Sequence, residues 1–119
     1  MDISIKEPGW ETFTFEDVTC EVKRLTLAEG LGLQGELTEL HGANVFSPAV
    51  QDLFKRYCRS IKGLKVGKTI IKEPADLLDP SIGNAAKLQQ LYVAVIGEFF
   101  RVNALSEGEE KNSGAPGVA

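Results

Sequence analysis

The stretch TFTFEDVTCEV, residues 12–22, decides the fold class. Phe13 and Phe15 alternate with threonines, and Val18, Cys20 and Val22 alternate with Thr19 and Glu21. A side-chain period of two belongs to a strand with one buried face, so two paired strands are expected, joined at Glu16-Asp17. That connection lacks the glycine that two-residue hairpin turns favour. Upstream, Ile3 and Ile5 alternate in the same way before Pro8-Gly9 closes the run. This reads either as a third short strand or as a loose N-terminus.

Downstream the period becomes helical. Thr26 and, three residues on, Glu29 form a capping box, in which each side chain serves an unpaired backbone N–H at a helix start. Leu27, Leu31, Leu37 and Leu40 supply an apolar set, while Gly30, Gly32 and Gly35 each cost about 1 kcal/mol relative to alanine in a helix interior. A weak or broken helix follows, either steadied by the core or ordered when a partner covers its leucines. Ser47-Pro48 starts a second helix, an N-cap ahead of a proline at the first helical position. Val50, Leu53, Phe54, Tyr57, Cys58 and Ile61 share one face of it. Asp52, Lys55, Arg56, Arg59 and Lys62 take the opposite side, and Gly63 is the stop.

Residues 64–82 read mainly as connection: Lys65 to Glu73 as a strand or an extended connector, and ADLLD between Pro74 and Pro80 as one helical turn. The longest helix begins at Ser81 or Asn84 and runs to Asn103. Its apolar members, Leu88, Leu91, Tyr92, Val95, Ile96, Phe99, Phe100 and Val102, span close to half the circumference, wider than one core contact requires. Such a helix is central to the fold, with a partner contact near its C-terminal end as an addition. Ser106 and Glu109 form a second capping box and predict one further turn. The expected architecture is α+β: an N-terminal β-hairpin, with a candidate third strand, followed by a small bundle of three to four helices. Residues 1–112 are expected to form a single domain and 113–119 a flexible tail.

The length of 119 residues, 43% of them hydrophobic and 25% charged, fits one globular domain. The opening MDISIKEPGWE has no apolar h-region, and no stretch approaches the roughly 18 apolar residues of a membrane span. Neither export nor membrane insertion is expected. Cys20 and Cys58 read as reduced thiols of a cytoplasmic protein, Cys58 as a core filler. A formal charge of −4 excludes general polyanion binding by the whole molecule. The charge is unevenly placed, however. Residues 1–40 carry nine acids and three bases, 41–73 two acids and seven bases, and 74–119 six acids and three bases. The basic middle either folds back on its acidic flanks or forms one positive face.

Catalytic chemistry has little to work with. His41 is the sole histidine, which excludes two-histidine metal motifs, and no nucleophile elbow, P-loop or calcium loop is present. The glycine cluster GLGLQG, 30–35, has the wrong spacing for a dinucleotide fingerprint. Acidic pairs such as Glu16-Asp17 and Glu109-Glu110 fall in exposed turns where nothing raises a pKa. No enzyme activity, cofactor or metal is expected. The strongest candidate for ligand contact is the basic run KRYCRSIKGLKVGK, 55–68, through Lys55, Arg56, Arg59, Lys62, Lys65 and Lys68. On a helix, Lys55, Arg59 and Lys62 share a face and can contact phosphates if unpaired; otherwise they solvate that face and pair with the acidic flanks.

The order of features carries a resemblance. A short β-rich opening leads to VKRLTLAE at 22–29, a helical middle follows, and LQQLYVAVIGEFFRVNALSEGEEKNS stands at 88–113. The chain resembles the tail assembly chaperones of long-tailed bacteriophages, small acidic proteins that end with a helix, a hydrophobic step and a segment like the one formed here by Leu105, Ser106, Glu109, Glu110, Lys111 and Asn112. The resemblance covers most of the chain in layout and its two ends in residue pattern. It implies transient binding to the tape measure protein and delivery of tail tube subunits in the host cell cytoplasm, and often a longer frameshifted product. The expected partner-binding residues are Leu91, Phe99, Phe100 and Leu105, with the glycine-broken leucine segment adapting around the partner. The alternatives are a structural virion component, such as a head-tail joining or tail-terminating protein, and a small nucleic-acid-binding protein using residues 55–68.

Overall fold

The computed structural model describes residues 1–39 and 44–103, with side chains of the first stretch as far as residue 36. The chain is α+β, with a three-stranded antiparallel sheet and four helices among the described residues. Strands β1 (Gly9–Phe15) and β2 (Val18–Arg24) form the expected hairpin, with Phe13 opposite Cys20 and Phe15 opposite Val18. Glu16 turns the chain without a glycine by adopting φ 54°, the left-handed region that L residues rarely enter. Residues 1–8 form no strand and are exposed. The third strand comes instead from residues expected to be helical.

Helix α2 (Pro48–Tyr57) starts as predicted, with the Ser47 hydroxyl accepting from the Val50 amide at 3.3 Å and proline at the first position. It stops at Tyr57, and strand β3 (Cys58–Lys62) takes over, antiparallel to β2. Cys58 and Ile61 are both buried, although residues three apart in a flat strand face opposite ways. A bulge reconciles them. Between the pairs Glu21↔Arg59 and Thr19↔Lys62, β3 holds one residue more than β2, and Ser60 sits at φ 57°. The expected extension of α2 to Ile61 is therefore corrected to a bulged strand, which meets the same spacing.

Beyond β3, Gly63 (φ 83°) passes so close to the β1–β2 turn that a Cβ there would collide with the Asp17 carbonyl. Strands β4 (Lys65–Val66) and β5 (Thr69–Ile70) make a small hairpin. The Ile61 amide donates to Lys72 O and the Ile71 amide to Leu64 O, so the returning chain covers the outer edge of β3. A single turn, α3 (Pro74–Leu77), follows where the two prolines bracket room for one.

Helix α1 (Leu27–Glu39) runs unbroken through its glycines. Helix α4 (Ala86–Val102) packs on β1, β2 and α2, and contact on more than one side is what its wide apolar arc requires. It begins two residues after Asn84, with Ala85 at the N-cap and no side-chain cap; the Asn84 side chain accepts from Gln89 instead. Val22, Leu33, Phe54, Ile71, Val95, Ile96 and Phe99 form the centre of the core. Tyr57 stacks on Phe99 at 5.3 Å between ring centroids, and Phe54 meets Tyr92 edge-on at 5.1 Å. Leu40, His41, Leu105, the Ser106/Glu109 capping box and the tail at 113–119 lie outside the described residues.

Candidate interaction surface

Helix α1 is fixed at its start, and its described side chains pack lightly. The Thr26 hydroxyl accepts from the Glu29 amide at 3.1 Å, and the Glu29 carboxylate accepts from the Thr26 amide at 3.0 Å, completing the capping box. The second oxygen of Glu29 accepts from Lys23 Nζ at 2.8 Å. This bond, with those from Thr26, holds the carboxyl below its ordinary pKa. The connection into the helix is pinned by Asn103, whose Oδ1 accepts from the Leu25 amide while Nδ2 donates to the carbonyls of Lys23 and Phe99. The network admits only this orientation of the amide, since a flip would set donors against the Leu25 N–H.

Among the described side chains of α1, Leu33 enters the core, at 1% exposure, whereas Leu27 is 79% and Leu31 64% exposed. Leu27 and Leu31 are four residues apart and therefore share one helix face. A Cβ added at Gly30, Gly32 or Gly35 would meet nothing within 4 Å, so the glycine-bearing surface is open as well. The sequence named these leucines as an apolar set, but their outward aim depends on how α1 is rotated about its axis.

The residues expected to bind a partner are placed otherwise. Leu91 is 4% and Phe99 1% exposed, Phe100 is half-buried against the core, and Leu105 lies outside the described residues. In the folded chain Leu91 and Phe99 offer no docking surface, because the sheet and α2 already cover the arc they occupy. Among the described residues the exposed large apolar side chains are Met1, Ile3 and Ile5 of the leading segment, and Leu27, Leu31, Phe46, Ile70 and Val93 of the folded body. Phe46 borders an open groove of about 600 Å³ lined by Leu77, Leu78, Ile82, Leu88 and Tyr92.

The basic run divides by residue type. Arg56 donates to Asp52 at 2.9 Å and lies 3.6 Å from Glu36. Arg59 donates to Glu21 at 2.8 Å, with its guanidinium 4.0 Å from the centre of the Trp10 ring. Lys55, Lys62, Lys65 and Lys68 are exposed, and no described carboxylate lies within ion-pair reach of them. The face expected for Lys55, Arg59 and Lys62 does not form, because Lys55 is on α2 and the other two on β3. Lys72 was missed, although it lies only four residues past the run.

Both thiols are buried: burial pushes Cys20 up to about 11 and Cys58 higher still. Among the described residues no cluster of His, Cys, Asp and Glu is placed to hold a metal ion, and no helix is long and apolar enough to cross a membrane. No protein-family model, curated protein or solved structure matches the chain.

Proposed function

We propose that this protein is a tail assembly chaperone of a long-tailed bacteriophage, binding the tape measure protein and tail tube subunits transiently in the host cytoplasm. The observation that carries the reading is the outward pair Leu27 and Leu31 on a helix that commits one described side chain to the core. A leucine pair one turn apart, with glycines leaving room beside it, suits the apolar stripe of a long helical partner. The residue pattern at 22–29 and 88–113, shared in kind with those chaperones, names the partner class. Docking moves from Leu91 and Phe99 to α1, which the sequence already marked as the segment that adapts to a partner.

Co-expression with the tape measure protein of the same genome tests this. The native chain should keep that partner soluble and co-purify with it, and Leu27→Glu/Leu31→Glu should abolish both effects while the chain itself stays folded. An equally insoluble partner with no co-purification refutes the proposal. Recovery of the chain from purified particles would favour a structural virion component instead.

A further inference from the structure

We propose that the β4–β5 hairpin is a second docking surface, built for an acidic protein segment that carries an apolar residue. Lys62, Lys65, Lys68 and Lys72 gather where the end of β3, the hairpin and the returning chain run side by side. Lys65 stands opposite Ile70, and Ile61 N–H bonds Lys72 O, which sets Lys72 beside the end of β3. All four lysines are exposed, and no described carboxylate lies within 4.0 Å of their ammonium groups. On the returning chain, Glu73 accepts from the Ser60 amide and Asp76 from the amides of Lys72 and Glu73. Four exposed lysines without a direct ion-pair partner among the described residues, on a chain of net charge −4, concentrate positive charge where it can attract a negatively charged partner.

Ile70 favours a protein segment over a nucleic acid. It is 63% exposed and is flanked by Lys65 across the hairpin and by Lys68 and Lys72 two residues away on either side. A phosphate backbone gains little from covering an isoleucine, whereas a protein segment with a leucine among its carboxylates satisfies both features. The surface is separate from α1. Gly63 abuts the β1–β2 turn at Asp17, while α1 begins beyond the other end of β2, so the length of that strand, roughly 20 Å, lies between the two. One copy can hold both partners at once.

Fluorescence anisotropy with three labelled probes tests the proposal on the full chain. The probes are a synthetic peptide of roughly twelve residues with two leucines among glutamates, the same peptide with serines for leucines, and an oligothymidylate of similar length. The leucine peptide should bind best, and Lys65→Glu/Lys68→Glu or Ile70→Ser should each weaken it about tenfold. Leu27→Glu/Leu31→Glu should leave it unchanged, which separates this surface from the one proposed on α1. If the charge reversal disturbs the circular dichroism spectrum, Lys65→Gln/Lys68→Gln serves in its place. No binding of the leucine peptide at about 0.5 mM, or binding indifferent to the hairpin substitutions, overturns the proposal. Tighter binding of the oligothymidylate, insensitive to Ile70→Ser, also overturns it and assigns the lysines to nucleic acid.

Discussion

Replacing Asn103 by alanine should be among the most damaging single changes at a partly exposed position. Its side chain makes three hydrogen bonds, to the Leu25 amide and to the carbonyls of Lys23 and Phe99, and two of them span 78 and 80 residues of sequence. A hydrogen bond of this kind contributes about 1 kcal/mol net, and partners left in a half-buried setting are incompletely rehydrated. Three together give a loss of about 2–3 kcal/mol. At about 4 °C per kcal/mol for a domain of this size, the melting midpoint should fall by roughly 8–12 °C. Asn84→Ala is the control: that side chain bonds only to the exposed Gln89, and its loss should stay within about 0.5 kcal/mol. Amide hydrogen exchange supplies a residue-specific reading, because Leu25 loses its acceptor in Asn103→Ala and should exchange far faster than in the native chain. A melting shift no larger than the control's, or unchanged protection at Leu25, would refute the assignment of Asn103 as the link between α4 and the entry to α1.

Three further outcomes are expected. Gly63→Ala should cost more than Gly67→Ala by at least about 1 kcal/mol in urea unfolding, since both glycines have positive φ but only Gly63 faces a backbone carbonyl; equal losses would contradict the close passage at Asp17. Cys20 and Cys58, both buried with raised pKa values, should react with a disulfide reagent at pH 8 only as fast as the protein opens and at once in denaturant; rapid native labelling would contradict their burial. Glu29 and Glu98 are held below the ordinary carboxylate range, Glu29 chiefly by its bond from Lys23 and Glu98 by its bond from Arg101. A folded-state pKa below the unfolded one gives stability that is present above the ordinary value of 4.5 and lost as pH falls through the lowered one. The urea midpoint should therefore drop as pH falls from 4.5, and less steeply in Glu29→Gln, as a pH series would show.

The hairpin was legible because a period of two has one structural meaning over two consecutive runs. Helix α4 was legible as a central element from the width of its apolar arc. Strand β3 was not, because Cys58 and Ile61, at a spacing of three, are served equally well by a helix and by a strand with one extra residue. Ser60 in the left-handed region leaves no signature in its side chain, where a glycine would have given one. Leu91 and Phe99 illustrate a second limit. Their arc announces contact on two sides, but only tertiary structure shows that both sides are met within the chain. For α1, the capping box at Thr26 and Glu29 fixes the start from local sequence alone. Its rotation, which sends Leu33 inward and Leu27 and Leu31 outward, is set by tertiary packing that the local sequence does not encode.

The charge asymmetry allowed two outcomes, a basic middle folded back on acidic flanks or a single positive face, and the chain realises both according to side-chain chemistry. The arginines fold back. Arg59 bridges Glu21 and the Trp10 ring, and Arg56 sits between Asp52 and Glu36, contacts that suit a planar guanidinium able to stack and to bond along its edge at the same time. The lysines at 62, 65, 68 and 72 remain outward, as compact, strongly hydrated charges gain least from exposed pairing. Arg59→Lys should keep the charge at Glu21 but lose the planar contact with Trp10. Within residues 55–72 the paired cations are thus arginines and the outward ones lysines, a difference that a count of net charge does not register.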